Sequence, residues 1–133
     1  ARPRSSVLFL VLAEHPAVES VNFPGLLEEG TKQHEVWKRQ CAGPGSLIAF
    51  VVRGNDKQRA FRVLNRLEMA HLAVSLGGTE TLVEHPSAMT HSDVSPEHQA
   101  RAGILPGMIR VSCGVEAVED LIADFKQALN PEI

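Results

Sequence analysis

Little in this chain is suited to trapping a metal or bridging to itself covalently. Two cysteines are present, Cys41 and Cys113, far apart in sequence. Two thiols make neither a disulfide framework nor a zinc site, so they read as reduced thiols of a cytoplasmic protein. Charge of one sign is scarce as well. The net charge is −3 and the basic residues are scattered, which removes the electrostatic reason to expect nucleic acid. The doublet Lys38-Arg39 reads as solvated helix surface. Long apolar runs are missing too. The longest, Val7 to Ala13, falls far short of the ~20 residues that span a bilayer. Arg2 and Arg4 precede it as in a signal peptide, but Glu14-His15-Pro16 follows where a small-residue cleavage site belongs. The run is expected to be a buried helix, cut short at its start, and no membrane contact is expected.

Several chemical signatures are also lacking. Serine, histidine and aspartate occur without a nucleophile elbow. The glycines lack the strand-to-helix spacing of a dinucleotide fingerprint. Of the six histidines, His85 and His91 share a segment, but no second pair and no nearby cysteine completes a zinc site. The four lysines are Lys32, Lys38, Lys57 and Lys126. A Schiff-base lysine needs a desolvated pocket to lower its pKa, and these sit in polar helical stretches or at a polar helix start.

What is present describes an ordinary globular chain. Its 133 residues, 44% hydrophobic and 22% charged, suit one domain with a normal core. Ser5 or Ser6 is placed to cap a helix through Ala13 that Pro16 stops. Val18 to Phe23 alternates weakly and ends at Pro24-Gly25, a short strand and turn. Thr31 to Cys41 reads as a polar helix, broken by Gly43-Pro44-Gly45. Ser46 to Arg53 is the clearest strand, and its nearly continuous apolar run predicts burial on both faces. A helix from about Asp56 to Glu68 follows, with Ala60, Phe61, Leu64 and Leu67 as its apolar stripe. Leu72 to Leu76 and Thr81 to Glu84 read as strands. Ser95-Pro96 opens a short helix as cap and first residue. Gly107 to Cys113 is a strand. A final helix runs from about Val118 to Leu129, with Val118, Leu121, Ile122, Phe125 and Leu129 on one face. The expected fold class is α/β, an α+β sandwich whose small, largely antiparallel sheet is covered by helices.

Two constellations could carry chemistry. In an extended strand, successive side chains point to opposite faces, so Met108, Arg110 and Ser112 share one face and Ile109, Val111 and Cys113 the other. The second face reads as core. The first then carries a guanidinium, whose fork of donors matches a carboxylate bidentately. The same arginine could instead pair with a structural carboxylate or lie in solvent. Ser75 with Gly77-Gly78 is the second constellation. Glycines let a backbone approach a ligand and expose its amides, or they form a tight turn between strands.

The order of several motifs adds a resemblance. They are His15-Pro16 through Val21, Phe23-Pro24-Gly25-Leu26, His34-Glu35, Lys38-Arg39-Gln40, Gly45-Ser46, the Ser75 segment, His85-Pro86 to Thr90-His91, Gly103-Ile104, Ile109-Arg110, Ser112 and Glu119-Asp120-Leu121-Ile122. From about His15 to Leu129 this order resembles the C-terminal part of the Cys/Met-metabolism pyridoxal-phosphate enzymes, the group of cystathionine γ-synthase, cystathionine γ-lyase and methionine γ-lyase. The resemblance implies the smaller, C-terminal domain of a fold-type-I enzyme. It implies that Arg110 binds the substrate α-carboxylate, with Ser75 beside it and Thr90 lining the same region. Val74 and Leu76, on either side of Ser75, join them as substrate-binding residues. Family members acting on cystathionine usually carry glutamate before that serine, and methionine γ-lyases often valine. Val74 therefore points to a thioether, since an apolar side chain suits it better than a second charged end; Gly77-Gly78 looks more like the cystathionine enzymes.

The departures are equally specific. The cofactor lysine with its Ser/Thr-x-Thr-Lys surroundings, the aspartate under the pyridine nitrogen, the stacking tyrosine and the phosphate ligands all belong to a region preceding this one. Pyridoxal phosphate is implied for the intact family enzyme, and this chain is expected to hold none covalently and to carry no catalytic residue. Arg2 to Val11 fits the family poorly, and Cys113 stands where valine is common. The expectation is thus one domain, 1–133, that grips a sulfur-containing amino acid, is silent alone, lacks its N-terminal cofactor domain and works in a homo-oligomer. The alternative is a free-standing truncated domain acting by self-association or by binding a small amino acid.

Overall fold

The computed structural model describes residues 3–133. The apolar run of the N-terminal segment forms helix α1 (Arg4–Glu14), which buries Leu8, Phe9 and Leu12. Neither serine caps it. The helix starts behind Pro3 with no side-chain cap, and the Ser5 hydroxyl instead donates to the Gly45 carbonyl at 2.7 Å. Ser5 lies inside the first turn and is buried, so a tertiary acceptor takes the hydroxyl that a solvent-facing cap would spend locally.

The remaining elements follow in chain order: β1 (Val18–Asn22), α2 (Lys32–Gln40), β2 (Leu47–Val52), α3 (Lys57–Arg66), β3 (His71–Leu72), β4 (Leu82–Glu84), α4 (Pro96–Arg101), β5 (Met108–Ser112) and α5 (Val118–Leu129). Three helices begin where side-chain oxygens meet free amide groups. Thr31 accepts from His34, Asp56 from Gln58 and Arg59, and Ser95 from His98. Among the described residues the strands form one five-stranded sheet in the order β1-β2-β5-β4-β3. The pairs β1/β2, β2/β5 and β4/β5 are antiparallel and β3/β4 is parallel. The mixed α/β architecture with a largely antiparallel sheet is therefore as the sequence predicts.

Helices α1, α3 and α5 pack on one face of this sheet. There Ile48, Phe50 and Val52 of β2 meet Val83 of β4, Ile109 and Val111 of β5, and the buried faces of the three helices. Phe50 and Phe125 are fully buried with ring centroids 6.3 Å apart, edge to face. On the opposite face the predicted two-sided burial of β2 holds at Val51 but not throughout. Leu47 is exposed and Ala49 partly so. The strand expected over Leu72–Leu76 also stops early, at Leu72, for a reason that belongs to the site below. Among the described residues no helix is long and apolar enough to cross a membrane.

Two helices are tied together by ions as well as apolar contact. Glu132, just beyond α5, lies 2.8 Å from Arg62, 2.7 Å from Arg66 and 3.5 Å from Arg59, all on α3. Hydrogen bonds from Arg62 and Arg66 hold its carboxyl down at about 2, against an ordinary value of 4.5. A depressed carboxylate adds stability fully above its unfolded pKa and loses it as pH falls through the folded one. Glu132→Gln is expected to lower the melting temperature near neutral pH by roughly 5 °C. The loss should shrink to nothing as the pH drops from 4.5 toward about 2. Melting curves across that range check this, and an equal deficit at every pH would contradict it.

Candidate functional site

Strand β5 sits between β2 and β4, so Arg110 emerges from the middle of the sheet, opposite Ala49 on one side and Glu84 on the other. The alternation expected from the sequence is present, with Ile109, Val111 and Cys113 buried on the helix-covered face. Burial pushes the Cys113 thiol up to about 12, so it is not a nucleophile. The face carrying Arg110 is less open than the sequence suggests, because Met108 and Ser112 are buried too.

The structure brings Arg110, Val74, Ser75 and Thr90 together and adds a residue the sequence reading missed. Arg110 Nη1 lies 3.0 Å from Glu84 Oε1, and Glu84 is only 1% exposed. The Thr90 hydroxyl donates to the same Oε1 at 3.1 Å. Arg110 Nη2 donates to the Val74 and Ser75 carbonyls, each at 3.0 Å. Buried Arg110 Nε and Glu84 Oε2 have no hydrogen-bond partner among the described residues. The pair is thus oriented but not saturated, an arrangement that costs desolvation for each unmatched atom. Thr90 Oγ1 also lies 2.9 Å from His91 Nδ1. Since its one proton goes to Glu84, the His91 nitrogen must be the donor in that contact.

These bonds explain why β3 is short. The Ala73 amide still reaches the Val83 carbonyl, but the next two carbonyls turn to the guanidinium. Gly77 then adopts a φ of +76° and its amide donates to the buried Ser112 hydroxyl at 2.9 Å. Of the two readings the sequence left open, a ligand-facing amide or a turn, the structure favours the turn: the Gly77 amide is spent inside the protein on Ser112. Ser75 reaches Arg110 through its carbonyl, not its hydroxyl. Val74 and Leu76, on either side of Ser75 in the chain, are 55% and 54% exposed.

The loop is pinned again at its far end. Glu116 accepts from the Thr81 amide at 2.6 Å and its hydroxyl at 2.7 Å. Burial alone would raise the Glu116 carboxyl, but these bonds hold it below its ordinary value. Gly114 passes so close that a Cβ there would lie 2.3 Å from the Thr79 carbonyl oxygen.

His85 is accounted for structurally. Its Nε2 contacts the Pro106 carbonyl at 2.6 Å and its Nδ1 accepts from the Ala88 amide at 3.1 Å. Both nitrogens are used in the neutral ring, and burial lowers its pKa. The four lysines are all exposed, so none has the desolvated setting of a Schiff-base amine. The described residues do not fit a covalently held pyridoxal phosphate.

A carboxylate grips a guanidinium most strongly by two parallel bonds. Either such fork uses Nη2, with Nη1 or with Nε as the second prong. Nη2 is engaged by two main-chain carbonyls here, so a carboxylate binding in this way has to displace at least one of them. Glu84 is hard to find in the sequence. It stands in the apolar run Leu82-Val83-Glu84, and only its cross-strand register sets it opposite Arg110.

Comparison with known proteins places this geometry in context. The model of the Cys/Met metabolism PLP-dependent enzymes matches residues 5–130. The L-methionine gamma-lyase of Porphyromonas gingivalis is 49% identical over 119 residues, which are 90% of this chain and 29% of that protein. A cystathionine gamma-lyase of Dictyostelium discoideum is 46% identical over 120 residues, 90% of this chain and 30% of its own length. Among solved structures, a cystathione gamma lyase from Micromonospora echinospora superposes with a TM-score of 0.87 at 39% identity, covering 96% of this chain and 32% of that one. The chain thus spans about 30% of the length of these relatives.

Proposed function

Because the chain belongs to the Cys/Met metabolism family of PLP-dependent enzymes, we propose that it is the C-terminal part of a carbon–sulfur lyase or transsulfuration enzyme, supplies the arginine for the substrate α-carboxylate, and is inactive alone. The observation that carries this reading is Arg110 at mid-sheet, with its guanidinium aimed by Glu84, which Thr90 also holds, and met by the Val74 and Ser75 carbonyls. Bound pyridoxal phosphate would supply the electron sink of such an enzyme. The residues of this chain would bind and orient the amino acid. Arg110 would take the carboxylate, and the apolar side chains of Val74 and Leu76 would favour a thioether over a charged substrate end. Methionine is therefore the first substrate of choice, ahead of cystathionine or an O-acyl-homoserine.

The purified 133-residue chain, given pyridoxal phosphate and methionine, is expected to release no α-keto acid. Release above a protein-free blank would overturn the reading, as would failure of the chain to restore activity to a relative whose corresponding C-terminal part it replaces. Exposed Leu72, Val74 and Leu76 favour a second reading, in which the chain works by self-association as a homo-oligomer. Light scattering on the same sample separates the two, because a monomer at every concentration excludes the second.

A further inference from the structure

Glu84 has a task in this site that reaches beyond structural pairing. It is 1% exposed and holds one end of the guanidinium, while the Thr90 hydroxyl holds the same carboxylate oxygen. A carboxylate arriving at Arg110 would meet a cation whose charge is already matched by a neighbour. We propose that Glu84 is the positioning residue of the carboxylate site, aiming Arg110 while cancelling most of its charge, so that a bound carboxylate is held by hydrogen-bond geometry more than by net attraction. This inference rests on the reading of Arg110 as the carboxylate anchor.

Three features on these residues favour it. Buried carboxylates kept for stability generally have both oxygens satisfied, and Glu84 Oε2 has no hydrogen-bond partner among the described residues. The guanidinium is fixed from two sides, by Glu84 on Nη1 and by the Val74 and Ser75 carbonyls on Nη2. When a carboxylate displaces a carbonyl from Nη2, Glu84 is the contact that remains to hold the plane. Thr90 then acts through Glu84: its hydroxyl is on the carboxylate, with no hydrogen bond to the arginine. The charge effect has a definite sign. Two carboxylates sharing one arginine repel, and in a partly buried site that repulsion is weakly screened. Weak, geometry-led binding suits an anchor that must release its product.

The test uses the full chain labelled with 15N and acetate as the probe. The Arg110 Nε–H resonance, identified by its loss in Arg110→Lys, reports both order and binding. Glu84→Gln leaves an oxygen facing Nη1 and removes only the charge. It is expected to tighten acetate binding by about tenfold and to steepen its salt dependence. Thr90→Val keeps the charge and loosens the aim, so acetate should bind several-fold more weakly, and Thr90→Ser should restore it. A purely structural Glu84 could only lose affinity, so unchanged or weaker binding in Glu84→Gln overturns the proposal. Unchanged binding in Thr90→Val overturns the role of Thr90. If acetate moves no Arg110 signal in the parent chain or any variant, the carboxylate-anchor reading itself fails. The aiming role is read separately: it predicts a broadened, faster-exchanging Arg110 resonance in Thr90→Val without any ligand, and an unaltered signal there counts against it.

Discussion

The Arg110→Ala protein is expected to unfold about 3 kcal/mol more easily than the parent, because removing one partner of a buried pair strands the other. Glu84 is 1% exposed, and after the substitution only the Thr90 hydroxyl would remain on its carboxylate. A double variant, Arg110→Ala with Glu84→Met, should recover most of the loss, since both charges then leave together. Urea unfolding of the two proteins checks this. A single variant as stable as the parent would mean that Glu84 is hydrated rather than paired. The functional consequence is larger. Within the proposed enzyme, Arg110→Ala is expected to lower kcat/KM for methionine by about two to three orders of magnitude, the range of a lost charge-assisted fork. Arg110→Lys should rescue little of it. An ammonium is a point charge, and it cannot hold Glu84, two main-chain carbonyls and a carboxylate in one plane. Steady-state kinetics on the assembled enzyme provides the comparison, and near-parent activity in Arg110→Lys would rule out fork geometry as the reason for arginine.

Asp124→Ala is expected to be the most damaging single change among the polar residues of the core, at about 3 kcal/mol or more. The Asp124 carboxylate accepts from the Glu68 amide at 2.8 Å and from the Met69 and Ala70 amides at 2.9 Å each. These amides lie where the chain leaves α3 and turns toward β3, and Asp124 is buried on α5. Alanine would leave all three donors without a protein acceptor, and the Ala70 amide is buried. An asparagine side chain keeps one acceptor oxygen, so Asp124→Asn should fall between the parent and the alanine variant. The same carboxylate adds acid sensitivity. Burial alone would raise its pKa, but the amide donors outweigh that and hold it below the ordinary 3.8. Its contribution is therefore complete above pH 3.8 and fades as the pH falls further, through the lower folded pKa. Chemical denaturation at neutral and acid pH should show the gap between parent and Asp124→Ala narrowing only below that value. A gap that closes near neutrality would contradict the assignment.

Asp124 shows where reading the sequence stops. The stripe Leu121, Ile122, Phe125 and Leu129 identifies the buried face of α5 by its period alone, and the helix runs over Val118–Leu129 as expected. An aspartate beside that stripe looks like solvent surface, because its three partners are more than fifty residues away. The same holds for the early end of β3. Local propensity extends the strand through Leu76, and nothing in that segment announces that an arginine on another strand will take two of its carbonyls. The glycines after Ser75 read in the sequence either as a ligand cradle or as a turn, and only the fold shows the Gly77 amide donating to the buried Ser112 hydroxyl. In each case a long-range polar contact overrides a local preference, since buried donors and acceptors must be matched wherever the fold places them.

The amino-acid order by itself determined the helices, the core strands, the family and the face on which Arg110 stands. These follow from side-chain period, capping groups and motif order, which are local along the chain. Only the tertiary structure decided what that arginine touches. The register of β4 against β5 brought Glu84 opposite it, and the loop after β3 brought two carbonyls over it. A guanidinium on a strand face is legible as a possible anchor for a carboxylate. Whether it waits there free or already held depends on cross-strand pairing, and pairing is set by the packing of the whole sheet.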